Sequence, residues 1–224
     1  MGKISRLGIS IAAVGLLVLF FVLFTKGNID RTNGGMFYLE PSGVAADENH
    51  LLLRRLPHTV KAGIIGLSSY ITQGYYGLSL SLQQPFIPAF GVGNSFFLYR
   101  NAARILSVPQ IELIPYPTRL EQYGWNAYTN WSSIYPWIAS DVSFSGTIIV
   151  VFLIGYFYAR SWLETVYTLN PVAVVLYAQF SIMLFYFSAN NQILQTGEGL
   201  FSFICIFGIW AITRRKFKFT RLSV

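Results

Sequence analysis

Four stretches of this chain, residues 7–24, 142–159, 172–189 and 200–213, are almost free of charge. A helix needs about 20 mostly apolar residues to cross the hydrocarbon core of a bilayer, and the first three runs approach that length. The fourth is shorter and is expected to lie beside other helices. Charged residues make up only 11% of the chain, against roughly a quarter in an ordinary soluble domain. The expected fold is therefore all-α, a polytopic membrane protein of one domain with about four clear transmembrane helices.

Lys3 and Arg6 precede the first run as they would in a secretory signal. Thr25-Lys26-Gly27 offers no small-residue cleavage site, however, so an uncleaved helix is expected. The single cysteine, Cys205, falls inside the last run, forms no internal disulfide and carries no information on redox compartment. A net charge of +7 would suit nucleic acid, but Arg214, Arg215, Lys216, Lys218 and Arg221 crowd the end of the last run, where a cytoplasmic tail belongs. Membrane lipid, and no nucleic acid, is the expected partner.

With both termini cytoplasmic the number of crossings is even, and four satisfies this. Arg160 and Glu164 are then expected in a short cytoplasmic turn that ends at Asn170-Pro171, a capping residue followed by proline at a first helical position. Residues 190–199 become a short outer loop, and residues 26–141 a large outer segment. That segment holds as many basic residues as the cytoplasmic parts, and it is too long for the charge rule to fix its side.

Within it, residues 62–82 form a weakly apolar run broken by Gly63, Gly66, Gly74 and Gly77 and by several hydroxyl and amide side chains. It reads as a helix buried among helices, as a re-entrant segment, or as one half of a spanning pair completed by residues 86–106. Pro85, Pro88, Gly91 and Gly93 punctuate residues 83–94 too densely for a helix, so an ordered turn is expected. Trp125, Tyr128, Trp131 and Tyr135 recur at helical spacing and are expected on one helix face. Neither an internal repeat nor a low-complexity tract is evident.

The run Ser69-Tyr70-Ile71-Thr72-Gln73-Gly74-Tyr75-Tyr76-Gly77-Leu78-Ser79-Leu80-Ser81-Leu82, with Pro85-Phe86 and Gly91-Val92-Gly93-Asn94-Ser95 after it, resembles bacterial O-antigen polymerases. So does Trp137-Ile138-Ala139-Ser140-Asp141-Val142-Ser143-Phe144-Ser145-Gly146. The resemblance runs from about Arg31 onward. Such polymerases usually carry ten or more spans, so the chain is expected to correspond to their C-terminal half, which would make Met1 an internal start, a truncated frame or a chosen boundary.

The resemblance implies a metal-independent membrane glycosyltransferase with no cofactor. It would join oligosaccharide repeat units carried on undecaprenyl pyrophosphate at the periplasmic face of the inner membrane, alongside a chain-length regulator and a flippase. A non-enzymatic transport or assembly subunit for polysaccharide export is the alternative from another class. Transport calls for polar groups around a continuous central cavity, whereas polymerisation calls for arginines and aromatics converging at an outer lateral opening.

Polymerisation needs a stabilised pyrophosphate leaving group, for which the planar guanidinium fork is suited. The outer candidates are Arg31, Arg54, Arg55, Arg100, Arg104 and Arg119, and Arg55 with Gly66 fits an arginine, ten-residue gap, glycine pattern described in some of these polymerases. Arg54, Arg55 and Lys61 equally suit anionic headgroups at a membrane surface. His58 is the better general-base candidate of the two histidines, or a solvated loop residue. Asp141 is a candidate for holding or deprotonating acceptor hydroxyls, or a helix cap.

Tyr70, Gln73, Tyr75 and Tyr76 either line a lipid-sugar path or pack between helices. Trp125 and Trp131, with Tyr128, Tyr135 and Trp137, either stack on sugar rings or form an interfacial belt. Inspection finds no phosphate-binding glycine-lysine loop, HExxH, paired-cysteine metal site or Gly-x-Ser-x-Gly elbow.

Overall fold

The computed structural model describes residues 6–31, 47 and 49–214; the side chains of Arg6, Leu7 and Arg31 lie outside that description. The expectations placed on Lys3 and on the tail from Arg215 onward also lie outside it. All regular structure among the described residues is helical. These residues form two compact units, Met1–Thr72 and Gln73–Val224, with the division falling inside one helix.

The first unit contains α1 (Arg6–Arg31) and the beginning of α2 (His58–Ser81). Residues 8–30 of α1 are long and apolar enough to cross a membrane, with a mean hydropathy of 2.6. Its flank of Ile9, Val14, Leu16, Leu17, Phe20 and Leu23 is exposed, an apolar face of the kind that marks contact with a membrane or another protein. Where α1 meets α2 the helices nearly touch. A Cβ on Gly63 would stand 2.3 Å from Thr25 Oγ1 and 2.7 Å from the Phe21 ring, so a small residue is what permits the approach. Phe24 packs edge-on against Tyr70 nearby.

The weakly apolar run is helical throughout α2, and in the second unit its small residues face protein backbone. Gln73, Gly74, Gly77 and Ser81 are buried along one side of α2. A Cβ on Gly74 would lie 1.8 Å from the carbonyl oxygen of Ser188, and one on Gly77 would lie 2.7 Å from that of Trp131. Ser81 Oγ donates to the Gly77 carbonyl, which satisfies its hydroxyl inside the helix.

After the punctuated turn come α3 (Phe96–Leu106), a 3-10 turn at Pro109–Leu113, the short α4 (Tyr116–Arg119) and a second 3-10 turn at Leu120–Tyr123. The chain then loops to α5 (Ile134–Thr168), α6 (Pro171–Phe185) and α7 (Gly197–Thr213). Of these, α5 is long and apolar enough to cross a membrane, whereas α6 and α7, at 15 and 17 residues, are shorter apolar helices.

Two expectations are corrected here. Arg160 and Glu164 do not form a turn: α5 continues through both to Thr168, and Glu164 is 5% exposed. It accepts the indole N–H of Trp210 on α7 at 2.8 Å and pairs with Arg160, one turn earlier on α5, at 3.7 Å, partners that let the side chain be buried. Nor do Trp125, Tyr128, Trp131 and Tyr135 share a helix face. Residues 124–133 form turns, because Gly124 takes a left-handed conformation and α5 starts only at Ile134.

The helix also bends where hydropathy gives no warning. Ser143 has φ 65° and ψ 168°, which divides α5 into a buried opening stretch and a long second stretch. The amide of Gly146 donates to Ser143 Oγ at 3.4 Å and starts the helix afresh. In the second stretch Ile148, Ile149 and Phe152 are exposed.

Asn170 accepts the Val172 amide with Pro171 following it, which is the capping expected of that pair. The tight reversal makes α5 and α6 antiparallel, and α7 returns beside them. Ile138, Leu176, Phe180, Met183 and Trp210 form the core among the three.

Candidate functional site

One end of this three-helix group gathers the start of α5, the end of α6 and the start of α7, and a polar groove lies there. Its wall is α3. Ser95 caps that helix by accepting the Leu98 amide at 3.4 Å. Tyr99 and Ala103 are the buried side of α3, which leaves Arg100 and Arg104, one turn apart, on the exposed side. Burial raises the Tyr99 phenol far above the ordinary tyrosine range, with Tyr128 adding to the effect, so it stays neutral.

The opposite wall is the first turn of α7. Thr196 Oγ1 accepts the Gly199 amide at 3.2 Å, and Glu198 follows in the first turn. Gly197 lies against the Phe97 ring, where an added Cβ would come within 2.8 Å, so glycine brings the helix terminus up to α3. Gln195 ties the walls together: its carbonyl accepts the Phe97 amide at 3.1 Å and its side-chain oxygen the Phe96 amide at 3.1 Å. Phe96 and Tyr128 stack at 5.1 Å between centroids. The volume of this open groove is about 520 Å³.

Comparison of the chain with protein-family models, curated proteins and solved structures finds no match. The groove must be read from its own chemistry. Two exposed guanidiniums and the positive end of a helix dipole favour an anion, and aromatic faces beside a carboxylate and an amide favour a hydroxyl-rich ring.

The residues singled out from the sequence fall into separate groups. Arg54, Arg55 and His58 are exposed in the first unit, with His58 the first residue of α2 and Arg31 the last of α1. Tyr70 belongs to that unit as well. In the second unit Gln73, Tyr76, Trp125 and Trp131 come together as packing. The Trp131 amide donates to Gln73 Oε1, the Trp125 indole N–H donates to the Trp131 carbonyl at 3.1 Å, and the Tyr76 and Trp125 rings lie 5.0 Å apart. Trp125 is fully buried, so its ring has no face left for a sugar. Tyr75 is exposed.

Asp141 does not cap α5. It accepts the amides of Gly91 and Gly93 and holds the punctuated turn, while Ser140 accepts from Ala89 beside it. Arg119 donates Nη1 to the Pro85 carbonyl at 2.8 Å and lies over the Tyr116 ring. Burial pulls its guanidinium below the ordinary arginine value, partly offset by Tyr116.

Gln195, Glu198 and Phe96 carry no signal strong enough to select from sequence, since residues 190–199 read only as a loop. The spacing of Arg100 and Arg104 was the available clue.

Proposed function

We propose that the chain is a polymerase, or part of one, for oligosaccharide repeat units linked to undecaprenyl pyrophosphate, working at the periplasmic face of a bacterial inner membrane. In this reading four helices cross the bilayer, both termini are cytoplasmic, and the groove lies on the outer side. The observation that carries it is the pairing of Arg100 and Arg104 with the Phe96 and Tyr128 rings in one groove at the end of apolar helices. A lipid-linked glycan presents the matching sequence of groups: an apolar tail, a charged pyrophosphate and hydroxyl-rich rings.

In the proposed reaction an acceptor hydroxyl oxygen attacks the anomeric carbon of the donor glycan. The bond from that carbon to the pyrophosphate oxygen breaks, the hydroxyl proton passes to a base, and lipid pyrophosphate leaves. Arg100 and Arg104 stabilise the leaving group in the groove; Arg31, Arg54, Arg55 and His58, the candidates proposed on residue type, belong to the first unit and are tested separately. The turn that resembles O-antigen polymerases leads directly into α3, so holding that turn in place also places Arg100 and Arg104.

The test is complementation of a polymerase-deficient strain with the complete reading frame, followed by Arg100→Ala, Arg104→Ala, Arg55→Ala and His58→Ala singly. Polymer should shorten or vanish in both groove variants while the protein remains in the membrane. Normal polymer in both would reject the groove's role. Export defects with normal polymer length would point to the transport class instead.

A further inference from the structure

One residue lining the groove carries a buried donor with no acceptor. Gln195 is 8% exposed, and its Oε1 accepts the Phe96 amide at 3.1 Å. A backbone N–H requires an oxygen opposite it, so that bond fixes which end of the side-chain amide is which. Nε2 is the other end, buried and with no hydrogen-bonded partner. Buried amide donors are rarely left so, because desolvation is not offset until an acceptor arrives.

We infer that Gln195 is a specificity-determining residue of the groove, with Nε2 donating to an oxygen atom of a bound sugar. This rests on the reading above and assigns a role within it. A phosphate calls for charge, and the exposed guanidiniums of Arg100 and Arg104 supply it on α3. A neutral amide beside the stacked Phe96 and Tyr128 rings, with the Glu198 carboxylate as acceptor for hydroxyl hydrogens, meets the mixed needs of a pyranose: one donor, one acceptor and a ring face. The amide distinguishes sugars by whether an oxygen stands opposite Nε2, since a site built to hydrogen-bond discriminates strongly against a ligand lacking the partner.

The experiment uses the full chain in lipid nanodiscs, with the methyl glycoside of N-acetylglucosamine and inorganic pyrophosphate as separate probes. Gln195→Glu keeps an oxygen for the Phe96 amide, replaces the donor with an acceptor and adds a negative charge. The neutral glycoside should bind this variant about tenfold more weakly, while any fall in pyrophosphate affinity reports the added charge. In the unaltered chain, the side-chain NH₂ resonance of Gln195 under selective ¹⁵N-glutamine labelling should shift on adding glycoside, a readout independent of how any variant folds. Equal glycoside binding by the variant, or an NH₂ resonance that does not move, overturns the assignment. Loss of pyrophosphate binding with glycoside binding unchanged also overturns it, because the donor then does not serve the sugar. If these fail while the Arg100 and Arg104 variants abolish polymer, only the Gln195 assignment falls; if the unaltered reading frame makes no polymer, the polymerase reading falls while sugar binding stands.

Discussion

The carboxylate of Asp141 accepts the amide of Gly93 at 3.0 Å across 48 residues of chain, and the same oxygen takes the amide of Gly91 at 2.8 Å. One carboxylate oxygen shared by two backbone donors fastens the turn from both sides. Asp141→Asn keeps the shape and removes the charge, and it should destabilise the protein by roughly 2 kcal/mol. Limited proteolysis should then cleave faster within residues 85–95. An unchanged cleavage rate would show that the turn holds without the carboxylate.

The glycines of α2 and α7 should respond oppositely to a methyl group. Gly74→Ala drives a Cβ into the Ser188 carbonyl, where 1.8 Å is available, and should cost about 3 kcal/mol or more. Gly208→Ala meets nothing within 4 Å and should gain up to about 1 kcal/mol from helix propensity. Thermal unfolding in detergent checks both, and equal shifts would refute the close approach at Gly74.

Glu164 and Trp210 join α5 to α7 through a 2.8 Å hydrogen bond. Trp210→Phe leaves a buried carboxylate short of a donor and should cost about 2 kcal/mol. A double-mutant cycle with Glu164→Leu should return a coupling of about 1–3 kcal/mol. A coupling near zero would mean that the two residues act independently.

Arg100 and Arg104 should each be worth about tenfold in affinity for pyrophosphate, measured calorimetrically on the nanodisc-embedded chain. Lysine at either position should restore only part of that, since an ammonium lacks the planar fork. Full rescue by lysine would reduce the role of these residues to bulk charge.

The apolar runs and Asn170-Pro171 by themselves indicated four helices and where one of them starts, though not how far α5 extends, because hydropathy and capping act over a few adjacent residues. The punctuated stretch before α3 was legible as a turn for the same reason. The burial of Trp125, the Asp141 fastening, the Ser143 bend and the Gln195 bridge were decided only in three dimensions. Each depends on a partner far along the chain or on a backbone angle that tertiary packing imposes, and local spacing carries no record of either. The aromatic spacing at residues 125–135 misled for this reason: Gly124 and the partners of the loop outweighed a helical periodicity that nothing stabilised.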